Sequence, residues 1–113
     1  MRYSYIFSFL QISLCVINAN IKTIGDQAFE KSKKIKNITL GKDVKKIGKK
    51  AFANCSKLNK VIIKGKALKN KGIGKQAFSK TAKKATVKWP KGLKSKDKNK
   101  LKKAIKKAGL KVK

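Results

Sequence analysis

An α/β solenoid, in which short parallel strands stack in coils and a C-terminal helix closes the stack, is the fold class this 113-residue sequence predicts. Three observations carry that reading. The phrase Ile-Gly-x-x-Ala-Phe occurs three times, as IGDQAF at residues 24 to 29, IGKKAF at 47 to 52 and IGKQAF at 73 to 78. Each copy is followed by an apolar-x-apolar run, Ile38/Leu40, Val61/Ile63 and Val87/Trp89, which is the two-residue period of a short strand with one face buried. The Phe residues stand 23 and then 26 positions apart, a period typical of repeat architectures, whose units are too short to bury their own apolar faces and must stack on neighbours.

The elements come in chain order. Residues 1 to 19, MRYSYIFSFLQISLCVINA, carry one positive charge, a mostly apolar stretch from Tyr5 to Ile17 and Ala19 as a cleavage site, the pattern of a signal peptide too interrupted by Ser8, Gln11 and Ser13 to span a membrane well. A competing reading shifts the repeat back by 23 and sets Ile12, Cys15 and Ile17 on the positions of Ile35, Ile38 and Leu40, as a degenerate first coil. Three recognisable units occupy residues 20 to 92. The first places Ile21, Ile24, Ala28, Phe29, Ile35, Ile38 and Leu40 in the core, and the second Val44, Ile47, Ala51, Phe52, Cys55, Leu58, Val61 and Ile63. The third is looser, with Lys84 where Ile35 and Leu58 stood and three extra residues between 65 and 72. The repeated glycine is expected to take positive φ or to let adjacent backbones approach closely.

Residues 93 to 113 form a basic helix and tail. Ser95 is the expected N-cap, Asp97 lies in the first turn, Gly109 is the stop, and Leu101, Ala104, Ile105 and Ala108 share one face. Two uses fit that face: lying on an anionic membrane, or covering the last coil, with Leu110 and Val112 adding edge contacts. With only two large apolar residues and no aromatic, the covering role is the better fit.

The pattern I-G-x-x-A-F-x-x-C-x-x-L-x-x-V-x-I, seen whole from Ile47 to Ile63, resembles the BspA-like class of leucine-rich repeat, and the likeness extends over residues 21 to 89. That resemblance implies a leucine-rich repeat array of parallel strands, secreted or held at the cell surface, serving adhesion or protein binding, with no catalytic residues and no cofactor. This chain departs from larger members in having three recognisable repeats and far more lysine.

The chemistry of an enzyme is missing from the sequence. There is no histidine, the four acids Asp26, Glu30, Asp43 and Asp97 are scattered, and two cysteines make neither a disulfide framework nor an ordinary zinc site; Cys55 fits a small buried apolar group. The run KGIGKQAFSK at residues 71 to 80 is not a phosphate loop, since Lys69 and Gln76 stand where a glycine and a hydroxyl residue are needed. Sequons at Asn37 and Asn54 fall within the core pattern.

Charge is the strongest compositional signal. The net charge is +29, the only arginine is Arg2, and all 32 lysines lie from Lys22 onward. Such a surplus attracts polyanions with steep salt dependence, although codon bias of an AT-rich genome produces the same composition. Stacking lines up the outward strand positions on one face, and these are the expected partner-binding residues: Asn37 and Thr39, then Lys60, Ile62 and Lys64, then Thr86 and Lys88. The expected partner is a protein or an anionic surface polymer. Nonspecific nucleic-acid binding is the alternative, disfavoured because lysine lacks the fork of arginine and the Phe rings are expected in the core. An N-terminal coil without a cap points to self-association as a further expectation.

Overall fold

The computed structural model describes residues 14 to 17, 20 to 81 and 84 to 112. Four strands, β1 (Leu14–Ile17), β3 (Asn37–Leu40), β5 (Lys60–Ile63) and β6 (Thr86–Lys88), form one parallel sheet in that order. The pairing sets Ile38 beside Val61 and Val61 beside Val87, so the apolar-x-apolar runs lie side by side as their spacing requires. On the other flank Cys15 pairs with Ile38 and Ile17 with Leu40, the 23-residue shift read from the sequence. The rest of the expected leader, with Ile12 and Ala19, lies outside the described residues.

A second sheet, not anticipated from the sequence, sits ahead of each Ala-Phe corner. β2 (Thr23–Ile24) pairs in parallel with β4 (Lys46–Ile47), and Ile47 bridges to Ile73. These segments are only two residues long because the glycine and corner come immediately after them. Ile24 and Ile47 point inward and Thr23 and Lys46 outward.

At the repeated glycine the structure decides between the two expected roles. Neither Gly48 nor Gly74 has a positive φ; a Cβ on Gly48 would lie 2.6 Å from the backbone of Gly25 and Asp26, and one on Gly74 2.5 Å from that of Gly48. Close approach of adjacent units is therefore what the glycine provides. The left-handed conformation falls instead on residues two before and two after each Phe: Gln27 and Lys31, Lys50 and Asn54, Gln76 and Lys80, all with φ between 55° and 65°. These positions let the corner alternate its bonding. Ala28 and Glu30 donate back within their own turn, to Gly25 and Gln27, whereas Gln27, Phe29 and Lys31 donate to Lys49, Ala51 and Ala53 of the next unit. Lys50, Phe52 and Asn54 repeat the pattern onto Lys75, Ala77 and Ser79 at 2.7 to 3.1 Å. The backbone groups of the corner are thus satisfied by the next unit, as a buried turn requires.

Inside, the Phe rings form a column, with centroids 5.3 Å apart for Phe29 and Phe52 and 5.5 Å for Phe52 and Phe78. Ile24, Ile35, Ile38, Leu40, Val44, Ile47, Leu58, Val61 and Ile63 fill the remaining core. Cys55 is fully buried, its thiol donating to the Phe29 carbonyl at 3.4 Å. Thr81 occupies the same place in the third unit, and its buried hydroxyl finds no hydrogen-bond partner among the described residues. Lys84 turns outward.

The helix α1 (Ser95–Lys107) covers the third unit. Ser95 is its first residue rather than its cap: Lys94 holds the N-cap position and no side chain bonds the free N–H groups, a correction explained by the extended backbone of Lys94, which leaves the Ser95 hydroxyl one position late. The C-terminal end matches expectation. Gly109, at φ 112°, donates to Lys106 at 3.0 Å and Leu110 donates to Ile105 at 3.2 Å, the paired bonds of a Schellman ending. Leu101, Ile105, Ala108 and Leu110 are buried in the common core, so the apolar face is spent on the last unit. Phe78 donates to the Ala108 carbonyl at 3.0 Å and Ala85 to the Lys111 carbonyl at 2.6 Å, while Val112 bridges Ala85. The tail thus accepts from the third unit where a further unit would. Parallel strands joined by such units and ended by one helix fit a repeat solenoid.

Candidate functional site

The outward residues of the principal sheet fall into two straight rows. Asn37 pairs with Lys60 and Lys60 with Thr86; Val16 pairs with Thr39, Thr39 with Ile62, and Ile62 with Lys88. Strand spacing of about 4.8 Å makes each row continuous. Lys64 lies just past β5, where its N–H donates to Leu40 at 3.1 Å. The structure therefore brings together the seven residues expected from the repeat, but not with equal exposure. Asn37, Lys60 and Ile62 are half-buried, Lys64, Thr86 and Lys88 are exposed, and Thr39 is only 8% exposed. Thr39 is more a floor to the face than a contact.

Val16 belongs to this face and is not among the residues expected from the sequence. At 54% exposure it is the large hydrophobic residue left most open to solvent among the described residues, and it stands beside Thr39. The signal is present: moving Thr39 back by one 23-residue period lands on Val16, a position that a leader reading of the segment passes over. With Val16 and Ile62 the second row is apolar at one end and cationic at Lys88, a surface that can bury hydrophobic area while orienting a partner by charge.

Lysine is not concentrated here. The denser set lies beside the small sheet, where Lys22, Lys45, Lys46 and Lys71 are all exposed. No Asp or Glu occurs between Asp43 and Asp97. Of the acids before that gap, Asp26 accepts the Lys49 N–H at 2.8 Å and Glu30 accepts from the Gln27 amide at 2.9 Å. Trp89, half-buried after β6, has the Lys98 ammonium 5.9 Å from its ring centre.

Among the described residues no three His, Cys, Asp or Glu side chains gather in a group that could hold a metal ion. No helix among them is long and apolar enough to cross a membrane.

Comparison with known proteins agrees with the repeat. No curated protein and no solved structure matches the chain. Residues 2 to 107 match the family described as BspA type leucine rich repeat region (6 copies). That span reaches well before Ile21, where the likeness read from the sequence begins. The chain belongs to the BspA-type leucine-rich repeat family.

Proposed function

We propose that this protein is a short leucine-rich repeat solenoid that is exported and binds a partner protein, as an adhesion or interaction module, through the outward face of its principal sheet. Membership of the BspA-type family supports a protein-interaction or surface role. The observation that carries the assignment to this face is the registered row Val16, Thr39, Ile62 and Lys88 beside Asn37, Lys60 and Thr86, which offers apolar area and positive charge on a rigid sheet. The function is binding rather than catalysis.

The face is tested by Lys60→Glu, Lys64→Glu and Lys88→Glu in one chain. The triple variant is expected to lose capture of acidic proteins that the unaltered chain takes from a cell-surface extract, whereas reversal of Lys100, Lys103 and Lys107 on α1 leaves capture in place. Binding by the first variant at physiological salt would discard the face. Export is tested by the intact mass and cell fraction of the protein made by its own source: a chain that keeps Leu14–Ile17 and is found in the medium or envelope supports it, and a wholly cytoplasmic chain overturns it.

A further inference from the structure

The strongest unexplained feature is a run of lysines along the other side of the stack. Lys45 and Lys46 both donate their backbone N–H to the Lys22 carbonyl, at 2.9 and 3.3 Å. One unit further on, Gly74 donates to the Ile47 carbonyl at 2.7 Å, Ile47 bridges Ile73, and Gly72 lies against the Lys45 carbonyl. Lys22, Lys45 and Lys71 each stand two residues before the isoleucine that opens a repeated phrase, Lys71 within a 3-10 turn over Asn70–Gly72, and all three are exposed. After the corner glycine the pattern recurs: Lys50 donates to the Lys75 carbonyl at 3.1 Å, which sets Lys75 beside Lys49, and both are exposed.

Like charges stacked at about one strand spacing repel one another. Acids relieve this only at the edge of the set. The second and third units contain no acid beyond Asp43, and Asp26, in the same place as Lys49 and Lys75, accepts the Lys49 N–H. Two lysine rows that run across units, with the single carboxylate of Asp26 at the head of the second, lower their energy by holding anionic groups repeated along a line.

We infer that the small-sheet side of the stack is a binding face for a linear acidic polysaccharide, laid along the stacking direction with its sulfate or carboxylate groups on the rows Lys22/Lys45/Lys71 and Lys49/Lys75. The face is separate from the protein-binding rows of the principal sheet and goes beyond that reading. A polymer of regularly repeated charge matches a row of regularly repeated ammonium groups better than a folded protein does. A nucleic acid fits less well, because the rings that would stack on its bases are the column Phe29, Phe52 and Phe78 packed face to face between units, and lysine lacks the planar fork that reads phosphate and base edges.

The test uses the full chain, heparin as the linear sulfated polysaccharide, uncharged dextran and a poly(dT) oligonucleotide, with affinity measured over a series of salt concentrations around about 0.15 M. The protein is expected to bind heparin and not dextran. Lys22→Gln, Lys45→Gln and Lys71→Gln together are expected to weaken heparin binding about tenfold or more and to reduce the slope of log K against log salt by about two to three, one for each contact removed. Lys100→Gln, Lys103→Gln and Lys107→Gln, which remove the same charge from α1, leave affinity within about twofold, since only the local field differs. The same three small-sheet positions changed to Arg retain binding, which separates charge from fold. Equal loss in the two Gln triples would overturn the proposal in favour of bulk charge. Poly(dT) held as tightly as heparin, with the same dependence on Lys22, Lys45 and Lys71, would overturn it in favour of nucleic acid.

Discussion

Among the described residues, the first and last rings of the Phe column belong to the same phrase and are not equally buried. Phe29 and Ala28 are half-buried and a Cβ on Gly25 would meet nothing within 4 Å, whereas Phe78 and Ala77 are 0% exposed. The residues themselves cannot explain this, since Ile-Gly-x-x-Ala-Phe is common to both. What distinguishes Phe78 is a cover on its outer side that is not a repeat unit. Phe78 is closed over by α1 and the Gly109 turn, with the Ala108 carbonyl taking the bond that Ala77 takes from Phe52. Burial in this chain is a property given by the neighbour, and a helix of unrelated sequence serves as the neighbour when it presents an acceptor and an apolar face in the right place.

The comparison can be broken most sharply at the rings. Phe52→Ala and Phe78→Ala are each expected to cost about 3–5 kcal/mol, the range for a large core aromatic, and Phe29→Ala about 1–2 kcal/mol because less area leaves water. Chemical denaturation of the three variants measures the order; equal costs at Phe29 and Phe78 would remove the asymmetry. Ile105→Ala, on the helix face, comes next at about 2–4 kcal/mol, and its loss is expected to exceed that of any exposed substitution on α1 in thermal melts.

Glycine provides the next contrast. Gly74→Val places a Cβ 2.5 Å from Gly48 and is expected to destabilise by about 1–3 kcal/mol through overpacking, while Gly25→Val leaves the melting midpoint close to that of the parent. The smallest effect has the opposite sign. Thr81→Val removes a buried hydroxyl that has no partner among the described residues and is expected to stabilise by about 1 kcal/mol; a loss of stability would mean that the hydroxyl is bonded in solution.

Much of this is legible in the sequence because the repeat is periodic. Aligning Phe29, Phe52 and Phe78 places the principal strands in the register that Val61 and its partners adopt, and the outward rows come from the same arithmetic. The helix is legible from its apolar face and Gly109. The features that escape are those without a residue signature. Left-handed backbone at Gln27, Lys31 and Lys50 is carried by side chains with no leaning towards it, held there by bonds to the next unit rather than by glycine. The two-residue strands of the small sheet are too short to show a period. The lysines around Lys45 are indistinguishable from general composition until parallel pairing puts them in line. Val16 is hidden because an apolar stretch satisfies both a leader and a coil.

The central claim is that α1 and its tail act as the missing neighbour of the third unit, and amide hydrogen exchange at the three Phe N–H groups tests it most directly. Phe29, Phe52 and Phe78 donate to Ala51, Ala77 and Ala108. The account predicts that Phe78 is protected to the same degree as Phe52 in the full chain, and that Ile105→Ala lowers protection at Phe78 far more than at Phe52. Fast exchange at Phe78 in the unaltered protein, or equal loss at both residues in the variant, would contradict it.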